Sequence, residues 1–382
     1  MSKKVFFWSP MLGNVGTIKA TINSVETIIE KSNHKIFLLN VLGEFSLYNY
    51  KNDRIKKINF FTFLKFLPKT GLFSKFLIYF FSLLSFPMLC FYVVKHKPDI
   101  IYASLVGYLP LLLKFFFKDL KVFNSIQGYP RFNRLRKFIW KKIYIKSDLI
   151  ITMTENTKKI LLQEIGNFKE IRKISNPVID KNLFELSNIE ISQEYKYVFS
   201  KKISFICIGR LTRQKNYLDF FKALCNLKKK LSESYYEENI NIIILGDGED
   251  FKTLRKFTKD KDLQNIHFLG FQKNPFNFLK SSNFFVSTSL WEDPGHTLIE
   301  AASLNVPIIT SDCPSGPKEL FNQDNSFIYK SENIEELSQI LMKAVINFKK
   351  EDLELQKKVL KAKELSQDFT KGEFYKSISD YL

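Results

Sequence analysis

Short apolar runs alternate with helical patterns along the whole 382-residue chain, and this alternation limits the fold more than any other feature. In the first half the runs fall at 5–8, 36–41, 100–103, 122–126 and 149–153, with helical patterns such as 17–31 and 134–146 between them. The second half repeats the scheme, with runs at 203–208, 242–245, 266–269, 284–287, 306–309 and 327–329, and helices near 217–230, 251–258, 296–304 and 334–348. Apolar runs without polar alternation read as strands buried on both faces; joined by helices, such strands form parallel sheets covered on both sides. The polar, irregular stretch 177–202 separates the two series. The expected fold class is therefore α/β, with two doubly wound Rossmann-like domains facing each other across a cleft. The first domain is expected over 1–178, a linker over 179–200, the second domain over 201–365, and a C-terminal helix, 366–382, packing back on the first domain. In sheets of this kind ligands sit at the carboxyl ends of the strands.

The chemistry-bearing residues cluster at those strand ends. Gly13-Asn14-Val15-Gly16-Thr17 follows the first strand and opens a helix, where glycines admit a ligand close to the backbone and helix amides favour an anion. It is neither a dinucleotide fingerprint nor a P-loop, and a plain tight turn explains it equally. Gly209-Arg210-Leu211 follows the strand at 203–208, with Lys215-Asn216 at the start of the next helix. Two cations near a helix N-terminus suit a diphosphate, and a solvated basic loop is the simpler alternative. Gly246-Asp247-Gly248 is by itself a turn signal. The strongest segment is Glu292-Asp293-Pro294-Gly295-His296-Thr297 with Glu300 one turn into the helix that follows. Carboxylates flanking a set of helix amides suit a molecule with hydroxyls at both ends and phosphate in the middle, that is, a nucleotide-sugar. A capped surface helix is the bland reading.

Charge adds a second constraint. Residues 1–180 carry 29 Lys/Arg and 11 Asp/Glu, a net +18, whereas residues 181–382 carry 29 and 28, a net +1. A uniformly basic protein is excluded, and the halves are expected to meet different partners. Four scattered cysteines, Cys90, Cys207, Cys225 and Cys313, argue against a disulfide framework or a zinc site and for a reducing compartment. The apolar stretch at 5–8 is too short for a signal sequence and reads as the first strand of a cytoplasmic protein. No Asp-x-Asp stands at a strand end, so no metal or other cofactor is expected.

The run 76–94 has 19 residues without a charge, near the length that crosses a bilayer. It reads as a spanning helix, a buried core helix, or a helix packed on its domain with one face in the lipid headgroup region. The interleaving of Phe, Leu and Lys around it favours the last. The basic aromatic run 131–142, with Arg131, Arg134, Arg136 and Lys137, is expected to contact the same anionic surface. The expected location is peripheral, on the inner face of the cytoplasmic membrane.

Taken together, these motifs resemble the retaining glycosyltransferases of family 4, which have the two-domain GT-B fold. The resemblance covers almost the whole chain. It rests on Gly209-Arg210-Leu211 with Lys215-Asn216, on Gly246-Asp247-Gly248 and on the Glu292…Glu300 spacing, supported by Lys97-Pro98-Asp99, Ser147-Asp148, Ser175-Asn176-Pro177 and the loop 311–319. It implies that Arg210 and Lys215 hold the donor diphosphate and that Glu300 holds the ribose. Glu292 would touch the transferred sugar, and Glu292, Arg210 and Lys215 would carry catalysis. Gly13, Gly16, Gly209, Asn216, Gly246, Gly295, His296 and Thr297 would complete the donor site. Many members place a His where this chain has Gln127, which is expected to position the acceptor without titrating. The implied reaction is front-face transfer, with the leaving phosphate taking the acceptor proton. A UDP-sugar donor is favoured by its frequency in the family, with a lipid-linked, lipopolysaccharide or capsule glycan as acceptor. The competing readings are a nucleotide-sugar epimerase on the same fold and a nucleic-acid-binding protein, the latter without any recognisable binding module.

Overall fold

The apolar runs become strands that pair side by side in parallel. The computed structural model describes residues 2–12, 16–48, 52–61, 71–346 and 352–382, without the side chains of 71–73 and 75. The chain forms two compact units, Met1–Val178 with Phe369–Leu382, and Ile179–Asp368.

In unit 1 the strands are β1 (Lys4–Trp8), β2 (Lys35–Asn40), β3 (Ile55–Asn59), β4 (Ile100–Ala103), β5 (Lys121–Ile126), β6 (Leu149–Thr152) and β7 (Ile171–Lys173), in the order β3-β2-β1-β4-β5-β6-β7. Strand β1 shows why its sequence is apolar throughout. Phe6 and Trp8 point into one core cluster and Val5 and Phe7 into the other, following the two-residue period of a strand. The order reverses between β1 and β4. Right-handed crossovers therefore send the helix Gly16–Lys31 to one face and the later helices to the other. The helix Lys371–Ile378 joins the first of these faces: Phe374 and Ile378 are buried beside Ile18, Ile22 and Val25, and Lys371 Nζ lies 2.9 Å from Glu30 Oε1. Strands β3 and β7 lie at the sheet edges and are additional to the apolar runs named from the sequence. Their residues, Ile-Lys-Lys-Ile-Asn and Ile-Arg-Lys, carry the cations that protect an exposed edge.

In unit 2 the strands are β8 (Ile203–Ile208), β9 (Ile240–Leu245), β10 (Ile266–Gly270), β11 (Phe284–Ser287), β12 (Ile308–Ser311) and β13 (Phe327–Tyr329), ordered β10-β9-β8-β11-β12-β13. The order reverses between β8 and β11. The stretch 179–200, expected as a linker, is instead a folded part of this unit. It contains the helix Lys181–Ser187 and the 3-10 turns Gln193–Phe199. Its polar look is misleading because its main chain is met by side-chain amides of this unit, two of them buried. Asn274 Nδ2 donates to Leu186 O (2.8 Å), Asn277 Nδ2 to Ile189 O (3.2 Å) and Asn241 Nδ2 to Val198 O (2.9 Å).

The uncharged run 76–94 is neither one straight helix nor wholly buried. Two helices, Gly71–Leu84 and Phe86–His96, meet at a 46° bend, and no single helix among the described residues is long and apolar enough to cross a membrane.

Candidate functional site in the second unit

The topological switch point of unit 2 lies between β8 and β11, and the loops that leave the carboxyl ends of these two strands carry most of the candidate residues. This is the position where open parallel sheets leave a crevice for a ligand. From β8 come Gly209, the exposed Arg210, Lys215 and Asn216, the last residue before the helix Tyr217–Lys230. From β11 come Ser289, Glu292 and Gly295, then the helix His296–Ser303 with Thr297 and Glu300.

The two loops are joined by charge. Lys215 Nζ stands 2.5 Å from Glu292 Oε1, and Ser289 Oγ donates to the same oxygen at 2.6 Å. The Glu292 side chain is 8 % exposed and that of Lys215 20 %, so the pair is largely withdrawn from water. The main chain reinforces it: Thr288 Oγ1 donates to Lys215 O and Asn216 O, both at 3.0 Å, and Gln214 Nε2 to Trp291 O at 2.9 Å. The resemblance implies separate roles for Lys215 and Glu292, diphosphate and sugar. The structure makes them direct partners, so a group that engages one acts on the other.

A third loop, after β12, fixes the backbone of Glu292. Glu292 N donates to Pro314 O (3.3 Å), and Gly316 N donates to Glu292 O (3.0 Å), a parallel bridge centred on Ser315. Ser315 Oγ donates to Asp293 Oδ1 (3.1 Å), and Ser311 Oγ to Ser289 O (2.7 Å). The approach is so close that a Cβ at Gly316 would lie 1.8 Å from Pro294 O. Ser289, Ser311, Ser315 and Gly316 were not singled out as site residues; the only signal was the loop 311–319, quoted without a role. The fourth loop gives Gly246 more than a turn: its φ is +136°, and a Cβ there would lie 2.0 Å from Gly209 O, so the loops after β8 and β9 run main chain against main chain.

Glu300 is buried one turn into the helix His296–Ser303, which begins after Gly295 (φ +96°) without a capping side chain. A helix start without a side-chain cap is suited to an anion, and this one follows Glu292 by three intervening residues. The arrangement thus offers cations and amides for phosphate and two carboxylates for hydroxyls. A cavity of about 530 Å³ lies at the opposite, amino ends of β11 and β12, where Asn283 and Pro307 meet the helix Leu353–Ser366, away from these loops.

Unit 1 holds the remaining candidates. Gly13 lies outside the described residues, and Gly16 is the exposed first residue of its helix. Gln127, just past β5, forms a reciprocal amide pair with Asn176: Asn176 Nδ2 donates to Gln127 Oε1 (2.7 Å) and Gln127 Nε2 to Asn176 Oδ1 (3.2 Å) and Ser125 Oγ (2.6 Å). Its side chain therefore fastens the end of β5 to the segment where unit 1 gives way to unit 2. Of the four cations expected at a lipid surface, Arg136 and Lys137 engage groups of the unit itself. Arg136 lies over the rings of Phe132 and Trp140 (5.7 and 5.8 Å), and Lys137 pairs with Glu164 (2.7 Å). Helix phase is the reason, since both positions fall on the side of buried Trp140. Arg131 and Arg134 are exposed. His34, His96 and His267 are packed or hydrogen-bonded inside their units, and burial lowers the pKa of each.

Residues 189–362 match the family model of the group 1 glycosyl transferases. An uncharacterized glycosyltransferase of Methanocaldococcus jannaschii is 40% identical over 202 residues, which cover 52% of this chain and 48% of that protein. The N-acetylgalactosamine-N,N'-diacetylbacillosaminyl-diphospho-undecaprenol 4-alpha-N-acetylgalactosaminyltransferase of Campylobacter jejuni is 27% identical over 196 residues, 50% of this chain and 49% of that protein. The chain spans about half the length of these curated relatives. Among solved structures, Anabaena Alr3699/HepE in complex with UDP and glucose superposes with a TM-score of 0.76 over 99% of both chains at 16% identity, a likeness of fold. The lipopolysaccharide outer core galactosyltransferase WaaB superposes with a TM-score of 0.63 over 99% of this chain and 100% of that one, at 19% identity. With two doubly wound parallel sheets the chain has the GT-B type of fold that these neighbours share, and over residues 189–362, within the second unit, it is similar to the group 1 glycosyl transferases.

Proposed function

We propose that the protein is a retaining glycosyltransferase that moves a sugar from a UDP-sugar to a lipid-linked, lipopolysaccharide or capsule glycan at the inner face of the cytoplasmic membrane. The observation that carries this reading is the buried Lys215–Glu292 pair at the β8/β11 switch point, beside a helix start without a side-chain cap. The donor diphosphate lies against Arg210, Lys215 and the amides of residues 295–297, Glu300 takes the ribose hydroxyls, and Glu292 meets the sugar. Developing negative charge on the leaving diphosphate is stabilised by groups already in place, and this is the main source of rate at such a site. The leaving phosphate accepts the proton of the acceptor hydroxyl, which attacks from the same side, so the anomeric configuration is kept. Unit 1 serves as the acceptor side, and neither a divalent metal nor nucleic acid takes part.

The choice of UDP and of a lipid-linked acceptor draws support from relatives. One Escherichia coli relative, 24% identical over 233 residues, is the UDP-Gal:alpha-D-GlcNAc-diphosphoundecaprenol alpha-1,3-galactosyltransferase, and another, 29% identical over 196 residues, is the lipopolysaccharide 1,6-galactosyltransferase. The test incubates the full-length protein with UDP- and GDP-sugars, with and without a bacterial membrane extract and EDTA, and reads product anomers by NMR. The expected result is extract-dependent use of a UDP-sugar, an α-linked product from an α-linked donor, and no effect of EDTA. Conversion of the donor sugar without extract supports the epimerase instead. Loss of transfer in EDTA, or an inverted product, overturns the mechanism.

A further inference from the structure

One face of unit 1 combines two features that a soluble surface seldom shows together. The helix pair Gly71–Leu84 and Phe86–His96 turns Leu77, Ile78, Leu89 and Val93 into the core and leaves Phe76, Tyr79, Phe80, Leu83, Phe91 and Val94 on the outside. Each of these six is 45 to 60 % exposed. Their spacing of three, one, three, eight and three residues keeps them on the outward side of both helices, and the Phe76 and Phe80 rings stack on each other at 5.9 Å. The helix Arg134–Lys142 packs on the same face of the sheet, since Trp140 shares the core cluster of Leu77, Ile78, Leu89 and Val93. Its outward side presents Leu135 and Phe138 with Arg134, Lys141 and Lys142, and these three cations take part in no ion pair among the described residues.

Charge separates the two faces of the sheet. The helices Gly71–Leu84, Phe86–His96, Tyr108–Leu113 and Arg134–Lys142 hold seven Lys/Arg and no Asp or Glu, and the fifth helix of this face, Glu155–Glu164, is neutral. The two helices of the opposite face, Gly16–Lys31 and Lys371–Ile378, hold four Lys/Arg and three Asp/Glu, with Lys371 paired to Glu30. Among the helices of this unit, the excess of positive charge therefore lies on the side that exposes the apolar side chains.

We propose that this face is a docking surface for an anionic lipid bilayer. The apolar stripe enters the boundary between headgroups and acyl chains, and Arg134, Lys141 and Lys142 meet lipid phosphates. The helices lie in the interface and do not span, because their inner sides are already occupied by the core of the unit. An anionic surface is the occupant that fits the charge; a second copy of the chain would bring seven cations against seven. The proposal deepens the proposed function by naming the phase from which the acceptor is taken, and rests on it only for that link, because docking is measured without any sugar.

Flotation of the full-length protein with vesicles of phosphatidylcholine alone, and of phosphatidylcholine with phosphatidylglycerol, tests it. Wild type is expected to float with the anionic vesicles, to stay behind with neutral ones, and to be released by high salt. Arg134→Glu/Lys141→Glu/Lys142→Glu is expected to weaken partitioning by about 100-fold, and Phe80→Ser/Leu83→Ser by at least about tenfold. Both variants change exposed positions, and an unaltered thermal melt keeps a loss of binding from being read as a loss of fold. Equal flotation with neutral and anionic vesicles overturns the proposal. So does wild-type binding by both variants, or a dimer in sedimentation that Phe80→Ser/Leu83→Ser dissociates while vesicles recruit nothing. A protein that floats but transfers no sugar removes the proposed function and leaves the docking surface standing; transfer to a soluble acceptor with no flotation does the reverse.

Discussion

Lys215→Ala is expected to lower kcat/KM for sugar transfer about a thousandfold and to destabilise unit 2 by about 3 kcal/mol. Both effects come from one contact. The Glu292 carboxylate is buried, and Oε1 accepts from Lys215 Nζ at 2.5 Å and from Ser289 Oγ at 2.6 Å. Without the ammonium the charge keeps a hydroxyl partner on that oxygen but loses its ion pair, and truncating one side of a buried pair costs far more than the pair contributes. The catalytic loss arises separately, because the same ammonium would face the leaving diphosphate. The two parts can be divided by adding Glu292→Gln, which removes the stranded charge. The double variant is expected to regain most of the thermal stability and none of the activity. Lys215→Arg is expected to recover little, since the lysine stem lies against the backbone of Gly209, 3.0 Å from where a Cβ would stand, and a planar guanidinium does not fit that channel. Activity within tenfold of wild type for Lys215→Ala, or an unchanged melt, contradicts the assignment.

Gly316→Ala is expected to have the second largest effect, a loss of about 3 kcal/mol and of about 100-fold in kcat/KM, although the residue is outside the donor set named from the sequence. The added Cβ would lie 1.8 Å from Pro294 O and 2.4 Å from Pro294 C, and a backbone neighbour cannot rotate away as a side chain can. Relief requires the 293–295 segment to move. That movement breaks the bond from Gly316 N to Glu292 O, which holds the carboxylate-bearing residue in place. The melting temperature is expected to fall by roughly 10 °C. Gly128→Ala is the control, because nothing lies within 4 Å of a Cβ at that position, and it is expected to change neither quantity. Wild-type kinetics for Gly316→Ala would show that the loop after β12 does not position Glu292.

How far the sequence carries depends on whether a feature is local. Strands β8, β9, β11 and β12 were legible because strands buried on both faces are written as continuous apolar runs, and the half-buried edge strands β10 and β13 keep enough of that character to be read. Edge strand β3 was not, because Ile55-Lys56-Lys57-Ile58 has the mixed exposure of a sheet margin and looks like surface. The Glu292…Glu300 spacing was legible because both residues sit on one loop and one helix. The Lys215–Glu292 pair was not: 77 residues separate them, and only the adjacency of β8 and β11 brings them together. The need for Gly316 is hidden for the same reason, since the atom that forbids a side chain belongs to Pro294, on the loop of the neighbouring strand. The stretch 179–200 was misread because its hydrogen-bond partners, Asn241, Asn274 and Asn277, lie far along the chain. The charge asymmetry was visible from composition, but that the helices of one face carry seven Lys/Arg and no Asp or Glu required the topology.

The most direct test of the central claim is a calorimetric titration of the full-length protein with UDP, comparing wild type with Glu300→Ala and with Arg134→Glu/Lys141→Glu/Lys142→Glu. If the switch point of unit 2 holds the nucleotide, wild type binds one UDP, and Glu300→Ala weakens binding by at least about tenfold through lost ribose hydrogen bonds. The triple variant, altered only on the outer face of unit 1, binds as wild type does. Absence of UDP binding by wild type, or equal affinity in Glu300→Ala, would contradict the account.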